Sequence, residues 1–391
     1  MRSAIHFASA ALALAALAFT AVPPVAADAP DSVADAKAFQ KYFAQKFPKL
    51  KLQDFVNGPY SMNEDMHRQW EEKEQFPPYE FSLDMGKEMF SKPFKNGKSY
   101  ADCFPNQGIG IRQNYPYFDE KEGKVVTLEL ALNRCRETNG EAPFSYVKDE
   151  MAALTAYMAF TSRGKPFDIK IPADPRALEA YQNGKRYFYT RRGQLNFSCA
   201  TCHVQSPGER IRAEVLAPAL GILNAMPIYR SEWSGMGTIS RRFATCNSQI
   251  RGVPLNPQDD EYRDLEYYLL CQQWTADLRP GSAAMKNVMR ASIISLSSAL
   301  LIASAISTLA AGSEADFKAA YSAAEAANKE AGALRNQWTV TAAALADAKK
   351  AADAGNFDDA VASSKEAEAL AKASIFQATS EKETWKALEI R

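Results

Sequence analysis

The stretch NFSCATCHVQ, residues 196–205, carries two cysteines separated by two residues, with a histidine directly after the second. In C-x-x-C-H the two thiols can add to the vinyl groups of one haem, and the adjacent histidine is then held where its imidazole can ligate the iron from one face. Cys199 and Cys202 fill the thiol places and His203 the ligand place. A redox dithiol and half of a zinc site are the alternatives. Zinc needs further Cys or His at short spacing, and none follows. A thioredoxin-like motif would open a helix inside a β-α-β pattern, which the surroundings lack. One covalent haem c per chain is expected, because no second complete motif occurs.

Outward from the motif, AYQNGKRYFYTRRGQLNFSCATCH reads as a helix carrying Tyr181, Tyr187 and Phe188, followed by a loop into the haem site. Downstream, PQDDEYRDLEYYLLCQQW sets Tyr262, Leu265, Tyr268 and Leu269 at helical spacing behind an acidic first turn, as a closing helix would. The preceding segment repeats parts of this. Asn96-Gly97-Lys98 stands before Cys103 much as Asn183-Gly184-Lys185 stands before Cys199. KDEMAALTAYMAF at 148–160 matches DDEYRDLEYYLLC at 259–271, with Leu154 answering Leu265 and Tyr157 answering Tyr268. The fold class expected is therefore mainly α, with two tandem cytochrome c-like halves of which the first, lacking C-x-x-C-H, holds no haem.

The chain of 391 residues balances 46 basic against 46 acidic side chains, which gives no hint of nucleic acid. Its first 27 residues carry one arginine, an uncharged apolar run and a small-residue end at Val25-Ala26-Ala27, the pattern of a secretory leader. Export to the periplasm puts six cysteines in an oxidising compartment. With two claimed by haem, Cys103 and Cys135 are natural disulfide partners, closing a loop of about 30 residues at a stabilisation of ~3 kcal/mol. The rival pairing uses Cys271, which also suits a buried small apolar position.

The iron's second axial ligand is the open question. His67 stands far upstream, and Met226 and Met236 are in range. The competitor is Cys246, in GTISRRFATCNSQIRG, where Arg241, Arg242 and Arg251 could keep a thiolate deprotonated or hold an oxyanion beside it. That cluster exceeds what an electron relay needs.

GQLNFSCATCH, YRSEWSGMGTISRRFATCNSQIRG and DEYRDLEYYL resemble the SoxA subunits of the SoxAX cytochromes, periplasmic enzymes of thiosulfate oxidation. The likeness runs from about Phe76 to Pro280. It implies that Cys246 is the distal haem ligand and the active-site sulfur, often a persulfide, and that Arg242 binds substrate. It implies a single-haem type whose SoxX partner brings a second haem. The reaction implied is the oxidative joining of thiosulfate to a cysteine of the SoxYZ carrier, with electrons passing to a cytochrome c acceptor. Two other readings compete: a pure electron-transfer cytochrome, and a thiosulfate dehydrogenase forming tetrathionate.

After Pro280 the composition changes. Residues 285–312 start with Met285, carry Lys286 and Arg290, then run uncharged from Ala291 to Gly312, resembling a second leader and leaving a membrane contact through 291–312 open. Ser313 to Arg391 is rich in Ala, Lys and Glu, with glycines only at 332 and 355, and reads as a helical hairpin or small bundle. It resembles SoxK, a small helical protein that binds SoxAX, and Phe317, Tyr321, Trp338 and Leu345 are its expected contacts. The expected domains are thus a leader at 1–27, a haem-less half at 28–165, a haem half at 166–284, the apolar linker and the helical tail.

Overall fold

The computed structural model describes residues 32–272, apart from 213, and 312–390. The leader and the linker up to residue 311 lie outside the described residues. The described residues begin with α1 (Ser32–Lys46), a 3-10 stretch (Leu52–Met62) and α2 (Glu64–Lys73). The first half then runs through α3 (Glu80–Ser91), the hairpin β1 (Tyr117–Asp119) with β2 (Lys124–Val126), α4 (Leu128–Thr138) and α5 (Asp149–Phe160). In the second half, α6 (Pro175–Tyr189) leads to the haem motif. Two short hairpins follow, β3 (Arg210–Ile211) with β4 (Glu214–Val215) and β5 (Ile228–Arg230) with β6 (Gly235–Gly237), then α7 (Ile239–Gln249) and α8 (Asp260–Cys271). The tail is α9 (Glu314–Ala333), α10 (Thr339–Asp353) and α11 (Phe357–Thr384).

The two halves share one helix crossing. α3 packs on α5 in the first, and α6 on α8 in the second. At Gly86 a Cβ would lie 2.1 Å from the Ala153 carbonyl oxygen and 3.0 Å from Tyr157 Cβ; at Gly184 it would lie 1.9 Å from the Asp264 carbonyl oxygen and 2.8 Å from Tyr268 Cβ. Each crossing thus sets a glycine against a backbone carbonyl and, four residues on, a tyrosine. This confirms the pairing of Tyr157 with Tyr268 and corrects the partner of Gly184, which is Gly86 and not Gly97. Gly97 lies in a turn after α3 with φ +83°, where Phe94 N donates to Lys98 O; a turn and a helix crossing both demand glycine, for different reasons.

Each half has its own core. Phe90, Phe94, Tyr100, Leu132, Met151, Leu154 and Met158 fill the first, beside the Cys103–Cys135 disulfide. The second gathers Tyr181, Phe188, Tyr189, Leu265 and Tyr268, together with Phe39 and Phe43 of α1 and Phe55. The N-terminal helix therefore belongs to the second core, although its sequence precedes the first half. Its apolar stripe of Ala36, Phe39 and Phe43 sits at spacings of three and four, which bury one helical face. Cys271 is buried in this core as a free thiol, pushed well up by burial.

Two buried polar clusters join distant segments. Lys185 bonds Asp35 at 2.8 and 2.9 Å and pairs with Glu389 at 2.5 Å, so α1, α6 and the end of the tail meet on one ammonium. Between the halves, Arg112 lies 3.7 Å from Glu266, whose proton affinity is raised by burial and then by Glu129, while burial raises that of Glu129 against the pull of Arg112.

The tail is a three-helix bundle built on alanine. Ala324, Ala327 and Ala331 of α9, Ala344 and Ala348 of α10, and Ala360, Ala367 and Ala371 of α11 are buried at helical spacing. Gly355, with φ +75°, turns α10 into α11. Of the four expected contacts, Trp338 meets the haem half, in a bridge to Gly252. Leu345 packs inside the bundle, and Phe317 and Tyr321 pack on each other. Docking runs instead through the α9–α10 turn and the end of α11, where Arg335 pairs with Asp259 and Glu261, Glu381 with Arg191, and Trp385 stacks on Tyr189.

Gly184→Ala should destabilise the haem half by roughly 1–3 kcal/mol, because the clash with a backbone carbonyl outweighs the up to about 1 kcal/mol that alanine adds to a helix. Denaturant unfolding checks this. Asp264, in α8, is pushed up to about 8 by burial and then by Asp260. Since an unfolded aspartate titrates near ~3.9, the folded chain holds more protons between those values and loses stability as pH rises through that window. Asp264→Asn should therefore flatten the fall in Tm between about pH 5 and pH 8.

Candidate functional site

Thr238 starts α7 by accepting the Arg241 amide on its hydroxyl at 3.1 Å while donating to the Tyr146 carbonyl at 2.6 Å. The cap ties the helix to the first half and fixes its direction. Arg242 and Cys246, four residues apart, then share one face. That face meets the motif at 199–203: the Cys246 sulfur acts electrostatically on both Cys199 and Cys202, and the Arg242 guanidinium acts on Cys202 and His203. Residues about forty positions apart are thereby brought together.

The motif ends in a π-type turn, Thr201–Gln205. His203 Nδ1 lies 2.8 Å from the Ala217 carbonyl, and the His203 carbonyl accepts from Ala219 N at 2.8 Å. Burial, with Arg242 adding to it, lowers the imidazole to about 4 against the opposing pull of the Ala217 bond. The ring is neutral at neutral pH, with its proton on Nδ1, so the Nε2 lone pair is free for a metal. Burial pushes the Cys199 thiol up to about 12, with Arg192 opposing, and raises Cys202 as well. Two neutral thiols and a neutral imidazole of fixed tautomer fit covalent haem. Among the described residues, no group of three or more His, Cys, Asp or Glu is placed to hold a bare metal ion.

Several supports are invisible in the local sequence. Lys46 Nζ donates to the carbonyls of Val204 and Gln205 at 2.8 and 2.6 Å, and Tyr42 donates to Val204 at 3.0 Å, so α1 closes the turn that presents His203. Glu214 lies 3.6 Å from Arg242 Nη2 and also pairs with Arg230. Arg230 pairs with Glu232 at 3.0 Å as well, and Arg242 Nη1 is buried without a hydrogen-bond partner. No signal near the motif could have named Lys46 or Glu214, which act from other elements.

The remaining candidates are turned elsewhere. Arg241 stacks over Trp233 at 4.5 Å and lies 3.8 Å from Asp149. Arg251 bonds Gln194 at 2.7 Å, and its carbonyl accepts from Thr339 of the tail. Met236 packs on Ala152 and Ala156 of α5, Met226 lies in the second core, and His67 faces Glu71 and Trp70 in α2.

Residues 85–167 match the family model described as the SoxA/TsdA cytochrome c domain. The match falls on the half without C-x-x-C-H. A solved structure, SoxXA from P. pantotrophus, aligns with a TM-score of 0.46 at 32% identity over 50% of this chain and 74% of that one. Over 235 residues the chain is 50% identical to the L-cysteine S-thiosulfotransferase subunit SoxA of Chlorobaculum tepidum, covering 60% of this chain and 82% of that protein. Over 249 residues it is 48% identical to the same subunit of Allochromatium vinosum, covering 63% and 88%. At that identity across more than four-fifths of these relatives, this chain belongs to the SoxA family.

Proposed function

We propose that this chain is the haem-bearing subunit of an L-cysteine S-thiosulfotransferase of the periplasm, with Cys246 as its reactive sulfur. Cys199 and Cys202 would attach one haem c, and His203 and Cys246 would supply the ligands to its iron. The observation that carries this reading is the shared face of Arg242 and Cys246 turned onto the motif. An electron relay needs the ligands alone, whereas a guanidinium with an unpartnered buried Nη1 beside the sulfur suits an oxyanion.

In the reaction proposed, the sulfonate end of thiosulfate pairs with Arg242 through parallel hydrogen bonds and leaves its terminal sulfur toward Cys246. A cysteine of the SoxYZ carrier loses its proton, one S–S bond forms between it and thiosulfate, and two electrons leave. A bound haem would supply one-electron redox chemistry, and a SoxX partner and a cytochrome c would be the acceptors for the two electrons. Lys46 and Tyr42 hold the histidine turn, and Glu214 lies against Nη2 of Arg242 and leaves Nη1 for the oxyanion. The fold of Met236 against α5 weighs against the relay reading with a methionine ligand.

Pyridine haemochrome analysis of the purified chain should give one haem. Cys246→Ala should change the low-spin spectrum and abolish turnover, while Met236→Ala leaves the spectrum as it was; the reverse would hand the case to the relay. Arg242→Lys keeps the charge and loses the fork, and should lower kcat/KM for thiosulfate by on the order of tenfold or more with haem content intact. Arg241→Ala and Arg251→Ala should cost less, since both side chains face away.

A further inference from the structure

Gln377, on α11, is buried where three segments meet. Its Oε1 accepts from Asn336 Nδ2 at 2.8 Å and from Trp338 Nε1 at 3.2 Å. Its Nε2 donates to the Gly193 carbonyl at 3.0 Å and to Asn196 Oδ1 at 2.7 Å. A side-chain amide offers two donors and one oxygen with two lone pairs, so all of its bonding positions are used. Two bonds hold the turn between α9 and α10. The other two hold the loop that runs into Cys199.

That loop also touches the end of α7. Gly193 has φ +66°, and a Cβ there would lie 2.2 Å from the Ile250 carbonyl oxygen and 2.9 Å from Gly252 N. Leu195 N donates to Ile250 O at 3.2 Å, and Ile250 N donates to Cys246 O at 3.3 Å. The same tail turn takes hold of the segment after α7, where Val253 N donates to Gln337 O at 2.9 Å and Thr339 N to Arg251 O at 3.1 Å. The two sulfur-bearing segments are thus pinned to the tail at the place where they meet each other.

We propose that Gln377 is a positioning residue of the haem site, through which the C-terminal helices fix loop 193–196 against the end of α7 and so set the approach of Cys246 to the Cys199–His203 segment. The proposal rests on the reading of that segment as the haem site. Docking alone does not require these bonds, because Arg335 with Asp259 and Glu261, and Trp385 on Tyr189, already join the tail to the body. The amide instead reaches past that contact to the backbone of the loop.

The test uses the full chain carrying Gln377→Met, with Arg335→Ala as the variant that weakens docking without touching the loop. Hydrogen exchange read by mass spectrometry should quicken on the order of tenfold at 192–197 and 250–253 in Q377M, as expected for losing two buried hydrogen bonds. The low-spin EPR signal of the thiolate-ligated iron should shift or broaden, and kcat should fall with KM and haem content little changed. R335A should keep the wild-type EPR signal. If Q377M folds poorly, Gln377→Glu decides the matter, since it keeps the side-chain size and the acceptor for Asn336 and Trp338 while losing the donors to the loop. Folded variants with unchanged exchange at 193–196 and an unchanged EPR signal would overturn the proposal. Exchange is read without reference to iron, so a wild-type chain lacking a His/thiolate signal would refute the haem reading separately.

Discussion

The close crossing of α6 on α8, with Gly184 seated against the Asp264 carbonyl, sets the frame from which the haem site is built. Only a residue without Cβ lets two helices approach until backbone meets backbone, and the aromatic side chains around the contact then interlock instead of holding the helices apart. Tyr181, Phe188 and Tyr268 do so here, with ring centroids 5.4 to 5.7 Å apart for the two pairs that involve Tyr268. The first half repeats the crossing with Gly86 and Tyr157 and has no haem motif. Its persistence there means that the crossing is a property of the packing and stands without the cofactor.

On that frame the site is arranged by charge. The histidine is kept neutral by burial and oriented by a backbone carbonyl, so it needs no acid or base nearby. The proposed oxyanion beside Cys246 has a different requirement, a guanidinium with a donor to spare, and Arg242 offers one because Nη2 lies 3.6 Å from Glu214 while Nη1 is buried without a hydrogen-bond partner.

Much of this was legible in the sequence, since the motif is local. Cys199, Cys202 and His203 lie within five residues, and the apolar spacing of 262–269 marks a closing helix on its own. Cys246 was legible as a cysteine among arginines and Arg242 through the family resemblance, whereas the helix that puts the two on one face is a finding of the structure. What was not legible arises from long-range packing. Lys46 and Tyr42 reach the haem turn from α1, which the order of the chain assigns to the wrong half. Asn-Gly-Lys occurs before both Cys103 and Cys199, and sequence similarity paired the two, whereas the steric demand for glycine pairs Gly184 with Gly86. Three arginines near Cys246 looked equivalent in sequence; the helix turns Arg241 about 100° away from Arg242, and Arg251 lies beyond the helix end.

The attachment of the tail follows a different rule from the rest of the core. Its contact with the haem half is mostly hydrogen bonds and ion pairs, with Trp385, Leu388 and Ile390 as the apolar part. Such a surface would bind weakly if the helices were a free partner, because half-exposed pairs such as Arg335 with Asp259 and Glu261 contribute little, buried pairs such as Lys185 with Glu389 carry a desolvation cost, and ordering them costs entropy. Within one chain the contact is intramolecular, so an effective concentration takes the place of a free partner's concentration. A polar interface is then sufficient, and it carries what an apolar one could not: directional bonds to particular carbonyls in the loop beside the haem motif. The fusion of the two parts in one chain therefore permits a contact chosen for geometry over one chosen for strength.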